Sequence, residues 1–146
     1  MYRLIYKSRS ATGNTWDITN SIMEECLPNN LREEIGGILL VTETHFLQVL
    51  EGDFERVNRT FMRIGTDSRH TDIQLVAFHP IEKRLFEQWG MKAIGVFDLT
   101  DQTIRHLTAK YGSEEAGIRL PTAEWSALAL ANDLEHSDNI REWSKT

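Results

Sequence analysis

Cysteine is nearly absent from this 146-residue chain. Cys26 stands alone, which excludes an internal disulfide and any cysteine-based zinc site. Positive charge is in deficit as well: 16 Lys and Arg face 22 Asp and Glu, for a formal net charge of −6. That balance lacks the basic stripe a nucleic-acid-binding surface needs. No apolar run approaches the roughly 20 residues of a membrane span, and the N-terminus has no signal-peptide pattern. The expectation is a cytoplasmic protein with neither a membrane nor a nucleic acid as partner. Also missing are a Ser-His-Asp pattern, a phosphate-binding glycine loop and an HExxH metal pattern. His45, His79 and His106 have no metal-like spacing, and no internal repeat is present.

What is present is an ordinary globular composition, 40% hydrophobic and 26% charged, long enough for one domain with a core and a small appendage. Residues 2–8 alternate as a strand, with Tyr2, Leu4, Tyr6 and Ser8 on one face and Arg3, Ile5 and Lys7 on the other, which reads as the wetter one. A turn around Gly13, with Asn14 or Thr15 as N-cap, opens a helix over roughly 15–28. It repeats Ile18, Ile22 and Cys26, and Pro28 with Asn29-Asn30 ends it. Cys26 reads as a small core residue on that helix.

Residues 35–41 are an unbroken apolar run, read as a buried central strand. The short link Glu43-Thr44 joins it as a hairpin to Phe46-Leu47-Gln48-Val49-Leu50-Glu51-Gly52. Asp53 caps a second helix over 54–65 with the stripe Phe54, Val57, Phe61 and Ile64; residues 73–78 and 89–96 read as two more strands. Strand, helix, strand, strand, helix, strand, strand is an α+β pattern: a ferredoxin-like βαββαββ sheet with both helices on one face. Beyond residue 97 the texture becomes helical. One helix carries Ile104, Leu107 and Tyr111 and ends at Gly112; a second, capped by Thr122, carries Trp125, Leu128 and Leu134; a linker spans 112–120. These helices would cover the other face of the sheet, where Ile5, Leu47 and Val49 would meet water. The polar tail from His136 reads as frayed or as a docking segment.

One residue does not fit the core pattern. Gln48 shares a face with Phe46 and Leu50, and burying a primary amide without partners costs roughly 1–3 kcal/mol. On the same face lie Tyr6 and either Trp89 or Met91, with Asn29-Asn30 beside them at the end of the first helix. A phenol, carboxamides, an indole and a thioether make a poor acid–base catalyst. They suit recognition of a flat heteroaromatic ring edged with donors and acceptors, sandwiched between aliphatic helix faces.

These residues carry a resemblance. Arg3-Leu4-Ile5-Tyr6, Asn29-Asn30, the Phe46–Gly52 run, Asp67-Ser68-Arg69-His70 and Phe86-Glu87-Gln88-Trp89-Gly90-Met91 stand in the order and spacing of a BLUF domain, a flavin-binding sensor of blue light. The resemblance covers about residues 2–96, and the two C-terminal helices are similar to those of short, single-domain members of the PixD type. It implies a sensor domain over 1–97 with a helical extension over 98–146, and non-covalently bound FAD, with FMN or riboflavin as alternatives. It further implies no enzymatic output, a homo-oligomer, and a downstream signalling protein such as a response regulator.

The resemblance also implies roles. Tyr6 would be the light-driven electron and proton donor, and Gln48 would lie between the Tyr6 hydroxyl and flavin N5/O4. Asn30 would hold the flavin carbonyl edge, with Asn29 nearby, and Ile22 and Ile64 would cover the ring faces. Arg63, Arg69 and His70 would fall near the ribityl and phosphate side or the ring's outer edge. Trp89 and Met91 would adjust when the signal forms. Three positions depart from the family pattern: Glu34 and Gly36 in Glu34-Ile35-Gly36-Gly37, where Gly-Ile-Thr-Gly is usual, and Gly90 in place of Ser between Trp89 and Met91. These departures point to altered dark recovery. Two other readings of the same fold remain at this level. One is a small acylphosphatase-like hydrolase, needing a phosphate-cradling loop at Ser8-Arg9-Ser10-Ala11-Thr12-Gly13; the other is a light-inert flavin-binding module.

Overall fold

Strand alternation, the Glu43-Thr44 hairpin link and four helical segments set the architecture much as the pattern predicts. The computed structural model describes residues 1–86, 91–97, 99–115, 117–137 and 141–143. Along the chain run β1 (Tyr2–Ser10), α1 (Trp16–Arg32), β2 (Gly36–Val41), β3 (His45–Gly52), α2 (Phe54–Gly65), β4 (His70–Pro80) and β5 (Lys92–Gly95). There follow α3 (Asp101–Tyr111), β6 (Ser113–Glu114), β7 (Gly117–Ile118), α4 (Glu124–Glu135) and β8 (Arg141–Trp143). The main sheet has the order β4-β1-β3-β2-β5-β8. β1 is antiparallel to both β3 and β4, β2 is antiparallel to β3, and β5 is parallel to β2. The fold is α+β and ferredoxin-like.

The two faces of the sheet carry separate cores, because successive strand side chains point to opposite sides. One core joins Leu4, Tyr6, Leu39, Phe46 and Leu50 to Ile22 and Met23 of α1 and Val57 of α2. The other joins Ile5, Ile38, Leu40, Leu47 and Val49 to Leu107 of α3 and to Ala127, Leu130, Ala131 and Leu134 of α4. The C-terminal helices thus cover the face that would otherwise meet water. Gly37 shows how tightly the hairpin is closed: its φ is +151°, and a Cβ there would lie 1.8 Å from the Val49 carbonyl oxygen. Among the described residues no helix is long and apolar enough to cross a membrane.

Several elements depart from the sequence reading. Arg3 and Lys7, expected on a wet face, are each only 7% exposed. Their charges are met by residues far along the chain, Glu51 and Glu124 for Arg3 and Glu114 for Lys7. Pro28 lies inside α1, which continues to Arg32. A proline inside a helix removes one amide donor, and the buried Leu27 and Asn30 on either side keep the last turn docked. α4 begins at Glu124 with Ala123, not Thr122, at its N-cap, and Trp125 is 78% exposed, outside the packed stripe. Phe54 is half-exposed and stacks on Phe78. Asp53 holds the N-cap position of α2 but makes no side-chain capping bond. The linker contains the small β6–β7 hairpin, and within the tail residues 141–143 pair with β5.

Candidate functional site

The site begins with one cross-strand pair. The β1–β3 register sets Tyr6 opposite Gln48, and the β2–β3 register sets Leu39 on the other side of Gln48. Even positions of both strands face α1 and α2, so phenol and carboxamide meet on that face. The Tyr6 hydroxyl donates to Gln48 Oε1, which leaves the amide NH2 of Gln48 as the free edge. Tyr6 is 1% exposed and Gln48 6%. Burial, reinforced by the nearby Cys26 and Asp67, pushes the phenol well above its ordinary pKa, so it stays protonated.

Above this pair opens a cleft of about 510 Å³. Its floor is Tyr6, Leu39 and Gln48; one wall is the α1 face with Ile22, Met23, Cys26, Asn29 and Asn30; the other is the α2 face with Thr60, Arg63 and Ile64. The α1 residues lie three and four apart, so they share one helix face. The end of the cleft is the Thr66–His70 segment. There Arg69 grips Asp67 through Nε and Nη2, at 3.0, 3.1 and 2.6 Å, and reaches Glu25 of α1 at 2.9 Å. The Arg69 guanidinium holds the Asp67 carboxyl below the usual carboxylate range. His70 packs its ring on Phe46 with centroids 4.6 Å apart and bonds Ser8 Oγ through Nδ1 at 2.8 Å. Burial lowers its pKa, so the imidazole is neutral at pH 7.

Most of the predicted site residues come together here. Tyr6, Ile22, Asn29, Asn30, Gln48, Arg63, Ile64, Arg69 and His70 all line the cleft. Asn29 and Asn30 belong to the last turns of α1 instead of a turn beyond it. Met91 is buried in the core on this side of the sheet, beside Gly37, and does not line the cleft. Trp89 and Gly90 lie outside the described residues. Gly36 is buried in β2 opposite Glu51. The sequence reading missed Cys26 and Glu25 as lining residues. Cys26 is half-buried and packs against the core on this side, as read, but it also lines the cleft; its four-residue spacing from Ile22 was the available signal. Burial raises its thiol pKa, so it is a neutral group.

The loop that a hydrolase reading requires is not formed. Ser8, Arg9 and Ser10 continue β1, and Arg9 pairs with Glu115 and Asp72. Among the described residues no cluster of His, Cys, Asp or Glu could hold a metal ion.

The family model for BLUF, sensors of blue-light using FAD, matches residues 1–92. The chain belongs to the BLUF family. It is therefore a flavin-binding blue-light sensor by family. Photoactivated adenylate cyclase subunit beta of Euglena gracilis is 34% identical over 73 residues, covering 49% of this chain and 8% of that protein. The chain thus spans less than a tenth of the length of this relative. Two solved BLUF structures match nearly end to end. The dark-state structure of BlrB superposes with a TM-score of 0.71 at 27% identity, covering 90% of this chain and 92% of that one. The ground state of BlsA does so with a TM-score of 0.72 at 26% identity, covering 94% and 89%.

The BLUF cleft fits a flavin on its own evidence. Asn30 is 3% exposed, and its carboxamide has no hydrogen-bond partner among the described residues. The free edge of Gln48 is in the same condition. Both donate and accept, as the heteroaromatic edge of an isoalloxazine requires, and Ile22 and Ile64 present aliphatic surface from opposite walls. Both carboxamides keep hydrogen-bonding edges open to the cleft, where the polar edge of a ring can take them up.

Proposed function

We propose that residues 1–97 of this BLUF protein sense light through the Tyr6–Gln48 pair, and that residues 98–146 pass the change on. The observation that carries the reading is the hydrogen bond from the Tyr6 hydroxyl to Gln48 Oε1, made on the floor of the cleft. Bound flavin supplies a ring that absorbs blue light and becomes a strong oxidant when excited. Tyr6 is the group positioned to give up an electron and a proton, and to take both back in darkness. Gln48 is the movable element: rotation or tautomerisation of its carboxamide exchanges the donating and accepting edges. Asn30, with Asn29, holds the polar edge of the ring; Ile22 and Ile64 cover its faces; Arg63, Arg69 and His70 meet its outer edge and side chain. Met91 and Trp89, which precede β5 in the sequence, adjust to the new arrangement.

The Tyr6–Gln48 step transfers no group to the protein, so the cycle is reversible and this chain acts without catalysis. Its output is a change in association, within a homo-oligomer or with a cytoplasmic signalling protein of the response-regulator kind. The α3–α4 face supports this route, because both helices share one hydrophobic core with Leu47 and Val49, the strand neighbours of Gln48.

Absorption spectra of the purified protein before and after blue light test the reading. The expected result is a structured flavin band that shifts to longer wavelength and returns in darkness. A colourless protein, or a flavin band that ignores light, overturns it. Tyr6→Phe should keep the flavin and lose the reversible shift.

A further inference from the structure

Among the described residues that line the cleft, the deeply buried polar groups are uncharged and the charged ones are at the rim. Tyr6, Gln48 and Asn30 are almost fully buried, whereas Glu25 and Arg63 are exposed and Asp67 and Arg69 half-exposed. The interior therefore serves the neutral ring of a ligand, and any anionic extension of that ligand must be met at the rim. Two guanidiniums are available there. Arg63 makes no ion pair with the described residues. Arg69 is held by two carboxylates of different character. Asp67 is local and held in place, accepting the Arg69 backbone amide at 2.9 Å as well as the guanidinium. Glu25 comes from the opposite wall, its side chain is 68% exposed, and it touches Arg69 only at 2.9 Å through Nη2. The Glu25 contact is the one that can yield.

We propose that Glu25 is a specificity-determining residue that sets the preference of the cleft between riboflavin and the phosphate-bearing flavins, by competing with the phosphate for Arg69. The proposal rests on the flavin reading of the cleft. With Glu25 in place the rim balances two carboxylates against two guanidiniums, so a phosphate gains little net attraction. A phosphate monoester carries roughly −1.5 to −2 charges near neutral pH, and it must displace Glu25 to reach Arg69. Riboflavin has no such group and is indifferent to the exchange.

The test is a displacement titration on the full chain. Protein loaded with riboflavin is titrated with FMN and, separately, with FAD, for the parent chain, Glu25→Gln and Glu24→Gln. Glu24 is an exposed neighbour outside the cleft lining, so its variant removes the same formal charge elsewhere. Glu25→Gln should shift the exchange ratio toward FMN and FAD by about two- to fivefold at low salt, as expected for one exposed charge pair. The shift should fade as added salt shortens the screening length to a few ångströms. Glu24→Gln should leave the ratio unchanged. An unmoved ratio in Glu25→Gln, or an equal shift in Glu24→Gln, overturns the proposal while leaving the flavin reading intact. A parent chain that binds none of the three flavins overturns both.

Discussion

On the α3–α4 face of the sheet Arg3, Lys7 and Glu51 are buried with their charges matched; on the α1–α2 face Asn30 and Gln48 are buried with hydrogen-bonding edges to spare. Glu51, with no exposed surface, accepts from Arg3 Nε at 2.9 Å, from the Leu85 amide at 3.0 Å and from the Phe86 amide at 2.9 Å. Lys7 donates to Glu114 and to the Leu120 carbonyl, both at 2.7 Å. These polar groups hold elements together: β1 to β3, the segment after β4 to the sheet, the β6–β7 hairpin to β1. On the cleft face Gln48 Oε1 accepts from Tyr6, and the Asn30 carboxamide bonds none of the described residues. One face spends its polarity on the fold and the other reserves it for a ligand. Substitution should separate them by readout, since one set should change stability and the other chiefly binding or photochemistry.

The largest effect is expected at Glu51. Removing one partner of a buried ion pair leaves the other charge uncompensated, which costs about 3–5 kcal/mol. Glu51→Ala should lower the unfolding free energy measured by urea titration by that amount, and a loss under 1 kcal/mol would erase the contrast. Next comes Asn30→Leu. Losing a buried carboxamide without protein partners should stabilise the flavin-free chain by ~1 kcal/mol while weakening flavin retention. A stability loss there would mean that Asn30 serves the fold after all. Tyr6→Phe removes one hydrogen bond, so stability should fall by only about 0.5–1.5 kcal/mol, far less than the photochemical effect.

The smallest effect concerns pH. His79 bonds the Pro80 carbonyl through Nδ1 and Glu124 through Nε2, and these two acceptors raise its pKa above the ordinary value of 6.5. A group whose folded pKa is raised stabilises the fold fully below its unfolded pKa, and that contribution disappears as pH rises through the folded pKa. The link between β4 and α4 should therefore weaken above neutrality. His79→Gln should shrink the difference in melting temperature between about pH 5.5 and pH 8, with the rest of the profile, set by other groups, unchanged.

Elements whose cause is local were legible in the sequence. The alternation around Gln48 and the stripe of α2 needed only their own residues, and α2 spans 54–65 as read. The Tyr6–Gln48 meeting followed from strand periodicity together with the family motifs. What escaped was non-local. Nothing near Arg3 or Lys7 announces burial, because the partners lie 48, 121 and 107 residues away. Pro28 carries a strong local stop signal, yet the turn beyond it is docked by Leu27 and Asn30, so tertiary packing overrode it. Trp125 shows the reverse: apolar and in helical register, it has no surface to pack on. The ion pair of Glu25 with Arg69 was hidden for the same reason, since Arg69 comes to it from another element.

The strand order also has a consequence in time. β1 is made first, but its two neighbours are β3 and β4, and Tyr6 is 42 residues from Gln48. The last wall of the cleft and the outer neighbour of β1 arrive only with residues 66–80. At roughly 5–20 residues per second of synthesis, the first strand waits several seconds before its sheet can close. The photochemical pair can thus form as soon as β3 is made, whereas the cleft above it gains its far end only when residues 66–70 have folded.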